Sequence, residues 1–295
     1  MVEHPLTEAL IISGGVAAGD YNDDGLIDLY VVAGSTGSNL LFQNQGGNSF
    51  RDVTGAAGVG ISGEPSAGPM FADTDGDGDL DLFVGAVGGH PVRLFENNGD
   101  GTFSDITSLS GLSLVTPNTF SAAFGDYDGD GWLDLFLAHW DQQTVASDDT
   151  GNLWHNEGNN VFTNKSIQSG IAAAIRGAHK TRGNTDYTFS PIFADINNDG
   201  YLDILVASDF VTSRVFLNNG DGGISGEYTF TDITDPAVIT DTNGMGASVG
   251  DYDNDGDLDW FVTSIFSSNE NEAREQVRGA DVKDGNRLYR NNGDG

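Results

Sequence analysis

Five nine-residue stretches place acidic or amide side chains at positions 1, 3, 5 and 9 around a glycine at position 6. They read DYNDDGLID from Asp20, DTDGDGDLD from Asp73, DYDGDGWLD from Asp126, DINNDGYLD from Asp195 and DYDNDGDLD from Asp251. Short carboxylates at alternate positions of a tight loop can bring hard oxygen donors to one point. That is the ligand chemistry of Ca²⁺, which takes about six to eight oxygens at roughly 2.3–2.6 Å. Glycine at position 6 permits the sharp turn that returns position 9 to the ion. The expected side-chain ligands are Asp20, Asn22, Asp24 and Asp28; Asp73, Asp75, Asp77 and Asp81; Asp126, Asp128, Asp130 and Asp134; Asp195, Asn197, Asp199 and Asp203; and Asp251, Asp253, Asp255 and Asp259. Backbone carbonyls at position 7 (Leu26, Asp79, Trp132, Tyr201, Asp257) are expected to add one ligand each, with water completing the shell. Up to five Ca²⁺ ions are predicted.

An EF-hand would need glutamate at position 12 and a helix after it. Position 12 is Val31, Val84, Leu137, Val206 or Val262, each inside an apolar run, so that motif is excluded. Solvated acidic turns would not recur five times in the same phase. The side-chain ligand positions are filled in every loop, which marks the metal as structural; a catalytic metal needs an open position beside an acid or base. Asn22 and Asn197 lower the ligand charge of their loops and predict two weaker sites.

The segments around each loop set the fold. Small residues precede it (GGVAAGD, SAGPMFAD, FSAAFGD, TFSPIFAD, GMGASVGD) and a short apolar run follows (DLYVVA, DLFVGA, DLFLAH, DILVAS, DWFVTS). A third run ends in an Asn/Gly turn, as in VRLFENNGDG, and a fourth follows in most copies, as in TFSDIT. These runs are too short for helices and rich in β-formers, so each unit reads as four antiparallel strands. Loops starting at 20, 73, 126, 195 and 251 repeat every 53 to 69 residues. Such a repeat predicts an all-β fold, a β-propeller of four-stranded blades, with five repeats present. The units run approximately 1–54, 55–107, 108–166, 167–234 and 235–295, a single propeller domain or a fragment of one. We read it as part of a larger ring of about seven blades. The innermost strands are expected to be small because they crowd the axis. Phe42, Phe95, Trp154, Phe216 and Tyr289 are expected to fill the widening wedge between blades.

The formal net charge of −33 is concentrated, since 18 aspartates occupy positions 1, 3, 5 or 9 of the loops. With only 12 Lys and Arg, a nucleic-acid or anionic-membrane partner is disfavoured. No run approaches the ~18 apolar residues of a membrane span, and the N-terminus lacks the pattern of a signal peptide. Absence of cysteine excludes disulfides and Cys-ligated zinc. Weak Ca²⁺ sites fill where the ion is near millimolar, which points to a secreted or cell-surface protein.

The unit FGDYDGDGWLDLFLA and the following LFxNNGDGTFxDxT segment resemble the FG-GAP/VCBS repeat of integrin-like α-subunit propellers, over essentially the whole chain. The second segment is especially similar to the cartilage acidic protein branch and its bacterial secreted relatives. The resemblance implies that each loop joins the first two strands of a blade and binds Ca²⁺. VFTNKS in the third unit departs from it by losing the usual aspartate.

Strand parity puts the calcium loops and NNGDG turns on one face. The insertions His139–Gly151, Ser166–Tyr187 and Ser267–Asn286 then map to the other, where binding residues concentrate. The expected function is a non-catalytic, calcium-binding adhesion or binding module, with a protein or glycan ligand on the face opposite the calcium loops. The alternative is a polysaccharide lyase on the same scaffold, drawing on His139, His179, Arg182 and Tyr187. Arg176, Lys180 and Arg182 form a basic stretch that reads as a solvated loop or as a docking patch for an acidic glycan or partner. Trp140 beside His139 could line a sugar site, though a packed aromatic edge is the simpler reading. The polar stretch NENEAREQVRGADVKDG reads as a short surface helix.

Overall fold

Each acidic loop is the turn of a β-hairpin. The computed structural model describes residues 13–34, 37–112, 118–143, 149–178, 185–220, 228–265 and 285–293. In the first blade β1 (Gly15–Gly19), β2 (Asp28–Val32), β3 (Leu40–Asn44) and β4 (Phe50–Asp52) form one antiparallel sheet in chain order. β5 (Ser66–Ala72), β6 (Asp81–Ala86), β7 (Arg93–Asn97) and β8 (Phe103–Asp105) repeat it. The third blade holds β9 (Thr119–Gly125), β10 (Asp134–Gln143), β11 (Leu153–Asn156) and β12 (Phe162–Asn164). The fourth holds β13 (Thr185–Ala194), β14 (Asp203–Ser208), β15 (Arg214–Asn218) and β16 (Phe230–Asp232). β17 (Gly244–Gly250), β18 (Asp259–Ser264) and β19 (Arg287–Tyr289) form the fifth. The expected all-β array of four-stranded propeller blades is what the chain adopts, with three strands in the fifth among the described residues.

The chain divides into two compact units, Met1–Ala122 with His155–Thr163, and Ala123–Trp154 with Asn164–Gly295. In the first, Tyr30, Leu41, Leu82, Val84, Phe95 and Phe103 pack into a core shared by two blades. In the second, Phe136, Ile204, Val206, Phe216 and Phe230 do the same for the third and fourth blades. The second strands β6 and β14 are buried at every position, whereas β2 and β18 have partly buried or exposed positions. The outer aromatics Phe95 and Trp154 are 4% exposed and Phe216 1%, filling the wedge as expected, whereas Phe42 and Tyr289 are only half-buried.

Inner strands are small for a more specific reason than crowding at an axis. A Cβ on Gly125 would stand 2.6 Å from the Phe193 ring, and one on Gly68 would stand 2.3 Å from the Phe120 carbonyl. Glycine on one inner strand makes room for bulk on the next.

Two elements were not foreseen. β10 runs past the end of a normal second strand and pairs with the start of β13 (Trp140↔Tyr187, Gln142↔Asp186, Gln143↔Thr185), merging two blades into one sheet. The Ser166–Tyr187 insertion, read as a rim loop, contains a helix after the four-residue helix α1 (Thr54–Ala57): α2 (Ile171–Ala178), whose Ile171, Ala172 and Ile175 are buried. Ile171 and Ile175 lie one helical turn apart and join the core with Ile204 and Phe230, so this insertion is partly structural.

Candidate metal centre

The acidic loops share one hydrogen-bonding plan, built from the backbone outward. The position-1 carboxylate caps the turn: Asp126 Oδ1 accepts the Gly129 and Asp130 N–H groups at 2.7 and 3.1 Å, and Oδ2 accepts Gly131 N–H at 3.0 Å. Asp20, Asp73, Asp195 and Asp251 likewise accept the position-6 glycine N–H, at 2.7, 3.1, 2.9 and 3.0 Å. The position-5 carboxylate holds the position-7 N–H: Asp24 that of Leu26, Asp77 that of Asp79, Asp130 that of Trp132 and Asp199 that of Tyr201, each at 2.9 Å, and Asp255 that of Asp257 at 3.1 Å. An ionised carboxylate has about four acceptor sites, so these bonds orient it and leave capacity for a cation.

The result is a set of converging carboxylates. Asp73, Asp75 and Asp77 bring ligand atoms within 4.8 Å of one another, as do Asp126, Asp128 and Asp134, and Asp251, Asp253 and Asp255. These three loops carry aspartate at position 3. In the other two, the position-3 amide donates instead to position 5, from Asn22 Nδ2 to Asp24 (3.2 Å) and from Asn197 Nδ2 to Asp199 (2.9 Å).

Position 9 has a second role that the spacing did not reveal. Asp28, Asp81, Asp134, Asp203 and Asp259 are all buried. Asp203 Oδ2 accepts the Ile196 N–H from its own loop, and Oδ1 accepts the Asn218 N–H at the end of the third strand (3.0 and 2.8 Å). Asp81 does the same with Thr74 and Asn97, and Asp259 with Tyr252 and Asn291. The carboxylate thus fastens the loop to the third strand of its blade.

Those third-strand asparagines, turn formers by their sequence, also tie neighbouring blades together. Asn97 Nδ2 donates to the carbonyl of Tyr21, at position 2 of the preceding blade's loop (2.7 Å). Asn156 reaches Thr74 (2.7 Å), Asn218 reaches Tyr127 (2.8 Å) and Asn291 reaches Ile196 (2.6 Å) in the same way. The first four loops are therefore each held by the next blade through an asparagine, while position 9 fastens a loop to its own blade. The turn glycine is equally constrained. Gly99 and Gly220 have φ of +69° and +59°, and a Cβ would meet the position-7 side chains of Asp79 (2.7 Å) and Tyr201 (2.5 Å).

Burial and neighbouring negative charge both bear on the carboxyls. Burial, then the negative charges of Asp81, Asp77 and Asp73, push Asp75 up to about 6. Asp203 is pushed up to about 6 by burial against the opposing bonds from Asn218 and Ile196. Burial also raises Asp28 and Asp81. An all-oxygen donor set that resists ionisation fits a hard divalent cation and offers nothing to a thiophilic metal. In the fifth loop a protein cation already sits in part of the cluster: Arg290 bonds Asp253 at 2.9 Å and Asp255 at 2.8 Å.

A scan against protein-family models matches the FG-GAP-like repeat over residues 20–84, 73–137, 143–206 and 195–262. The chain belongs to the FG-GAP-like repeat family. Among curated relatives, cartilage acidic protein 1 of Xenopus tropicalis is 33% identical over 127 residues, covering 42% of this chain and 19% of its own length. The Mus musculus protein is 25% identical over 218 residues, 72% of this chain and 32% of its own. This FG-GAP chain thus spans at most a third of the curated relatives it matches. An Agrocybe aegerita lectin, described as recognising non-reducing terminal N-acetylglucosamine, has 19% identity and a TM-score of 0.47, over 86% of this chain and 61% of that one. The V. cholerae biofilm matrix protein Bap1 gives 16% and 0.45, over 90% and 37%.

Of the residues singled out for the lyase reading, His139 and Tyr187 lie among the described residues. His139 is fully buried, its Nε2 sits 3.2 Å from the Gly151 carbonyl, and burial drives its pKa down to about 4. It is a packed core histidine. Tyr187 is half-buried between Trp140 and Phe210, and the Trp140 indole N–H is held by Asp209 at 2.7 Å. His179, Lys180, Arg182 and the 267–284 stretch, with its expected polar helix, lie outside the described residues.

Near His139 lies Asp186, fully buried and pushed up to about 6 by burial against bonds from the Thr188 N–H and the Asn152 amide. A carboxyl raised on folding adds stability at low pH that is lost as pH rises through about 6. Asp186→Asn should therefore raise the melting temperature at pH 8 and change it little at pH 5. Thermal scans at the two pH values decide; equal effects would mean that Asp186 is not strained by ionising.

Proposed function

We propose that the chain is a non-catalytic extracellular binding or adhesion module whose blades are clasped by Ca²⁺. The observation that carries the metal reading is the repeated plan of the loops, in which backbone N–H groups pre-orient carboxylates that crowd one another. Position-1, -3, -5 and -9 side chains would hold the ion, joined by the position-7 carbonyls. The ion would supply neutralising charge. Asp128→Ala should lower the Ca²⁺ stoichiometry in calorimetry by one while the remaining sites still bind; unchanged stoichiometry would remove Asp128 from the ligand set. An extracellular setting is supported by likeness to cartilage acidic protein 1 and by the millimolar Ca²⁺ that weak loops require. The face proposed for a protein or glycan ligand is the one opposite the loops, where the β10–β13 extension carries Trp140 and Tyr187. Alanine at both positions should weaken capture of that ligand on a glycan or matrix-protein array without changing Ca²⁺ content.

A further inference from the structure

The turn joining β11 and β12 carries Asn159 and Asn160, with φ of +51° and +61°. Asparagine tolerates that left-handed region, so a turn former is the plain reading. The same place, two residues before the phenylalanine of the fourth strand, holds Asn48 in the first blade and Gly101 in the second, with φ of +64° and +83°. Asn48 is exposed, as a turn residue should be. Asn160 is only 3% exposed, because its side chain lies against the acidic loop of the second blade, within the same compact unit. Its amide spans two groups there, the Thr74 hydroxyl and, at 3.2 Å, Asp75 Oδ2.

The direction of that amide follows from counting protons. Thr74 Oγ1 stands 2.5 Å from Asp81 Oδ2, which also accepts the Thr74 N–H at 3.1 Å. Two oxygens that close need a proton between them, and an ionised carboxylate is a stronger acceptor than an amide oxygen. The hydroxyl has one proton to give, and Asp81 takes it. Thr74 can then only accept from Asn160. The two ends of an amide are told apart by their hydrogen bonds, so Nδ2 faces Thr74 and Oδ1 faces Asp75. Oδ1 thus takes the place 3.2 Å from the Asp75 oxygen, and two acceptors meet with no proton to share. Buried, such a pair is costly. A proton would relieve this pair alone. A divalent cation would relieve it together with Asp73 and Asp77, whose ligand atoms and that of Asp75 lie within 4.8 Å of one another. Oxygens about 3 Å apart are neighbours in a shell of six to eight at about 2.3–2.6 Å from Ca²⁺.

We propose that Asn160 Oδ1 is a ligand of the Ca²⁺ in the second loop, contributed by the neighbouring blade. Such a ligand presupposes the Ca²⁺ proposed for that loop and lies outside its nine-residue pattern. Position 2 of the five loops is Tyr21, Thr74, Tyr127, Ile196 and Tyr252, so only the second loop has a short hydroxyl there to direct an amide. Asn160 supplies an oxygen where Asp81 has spent one of its own on Thr74. The ion in this loop then ties the second blade to the third.

Calorimetric Ca²⁺ titration of the whole chain tests this. Asn160→Gly keeps the turn, since Gly101 serves at the same place, and removes the oxygen. It should weaken one Ca²⁺ site at least tenfold and leave the others unchanged. Asp75→Ala identifies that site: the double variant should lose no more than Asp75→Ala alone. Asn160→Asp returns an oxygen with added charge. It should bind at that site at least as tightly as the unaltered chain, yet lower the melting temperature in EDTA by facing Asp75. A loss in Asn160→Asp as large as in Asn160→Gly would make the amide N–H the working group and overturn the proposal. Unchanged affinities in Asn160→Gly would remove Asn160 alone, whereas no Ca²⁺ binding by the unaltered chain would remove the metal reading itself.

Discussion

Excess EDTA should lower the melting temperature by about 5–10 °C for each metal site it empties. A cation that binds only the folded chain adds about 2.7 kcal/mol when present at a hundred times its dissociation constant. In domains of about 150–250 residues each kcal/mol is worth about 2–4 °C. The three loops whose carboxylates converge would together move the transition by tens of degrees, more than any single packing change. The pH dependence gives an independent signature. Asp75 and Asp203 are raised to about 6 in the folded chain. Their contribution is stabilising below the ordinary carboxylate range and is lost as pH rises through about 6. In EDTA the chain should therefore gain stability between pH 7 and pH 5, and saturating Ca²⁺ should abolish that gain. Differential scanning calorimetry across this range checks both; indifference to EDTA would remove the clasp role.

The same scans should rank the loops. Asn22 and Asn197 replace a carboxylate and tie up position 5 with their amides. Asn22→Asp should strengthen Ca²⁺ binding, as calorimetric affinity would show, by returning the carboxylate that the other loops carry. In the fifth loop Arg290 must be displaced from Asp253 and Asp255. That pair is exposed, so its competition is modest and falls with salt.

The blades were legible because their signal is local and repeated. Alternating carboxylates, a glycine and an apolar run recur within each unit, and the two-fold strand period does the rest. What escaped was whatever acts between units. Asn218 is written in the same NNG turn as Asn97, yet nothing local to the turn says that its amide reaches Tyr127. The α2 helix escaped because IAAAIRGA sits in a link, where apolar residues resemble a loose rim; only the neighbouring blade explains why Ile171 and Ile175 are buried. The β10–β13 extension escaped because two insertions in different units had to be read as partners.

The largest single-residue effect outside the proposed ligands is expected at Asn218. Its backbone N–H binds Asp203, its Nδ2 donates to Tyr127 and Leu202, and its Oδ1 accepts the Gly220 N–H, all with the residue 3% exposed. Asn218→Ala keeps the first bond and strands at least one buried carbonyl, at a cost of about 2–4 kcal/mol. Asn44 is the internal control: its Nδ2 donates to Ile27 of its own loop at an exposed position, so Asn44→Ala should cost only about 0.5–1.5 kcal/mol. The consequence for metal binding follows the same bonds. Tyr127 N–H donates to Asp134 Oδ2 while its carbonyl accepts from Asn218, so one peptide chain of hydrogen bonds runs from the third loop to the fourth. Cutting it should weaken Ca²⁺ binding in the third loop and leave the second, held by Asn156, unchanged. Urea titrations of the two alanine variants, with and without Ca²⁺, separate these effects. If Asn218→Ala proved no more costly than Asn44→Ala, the asparagines would be turn formers only, and each loop would answer to its own blade alone.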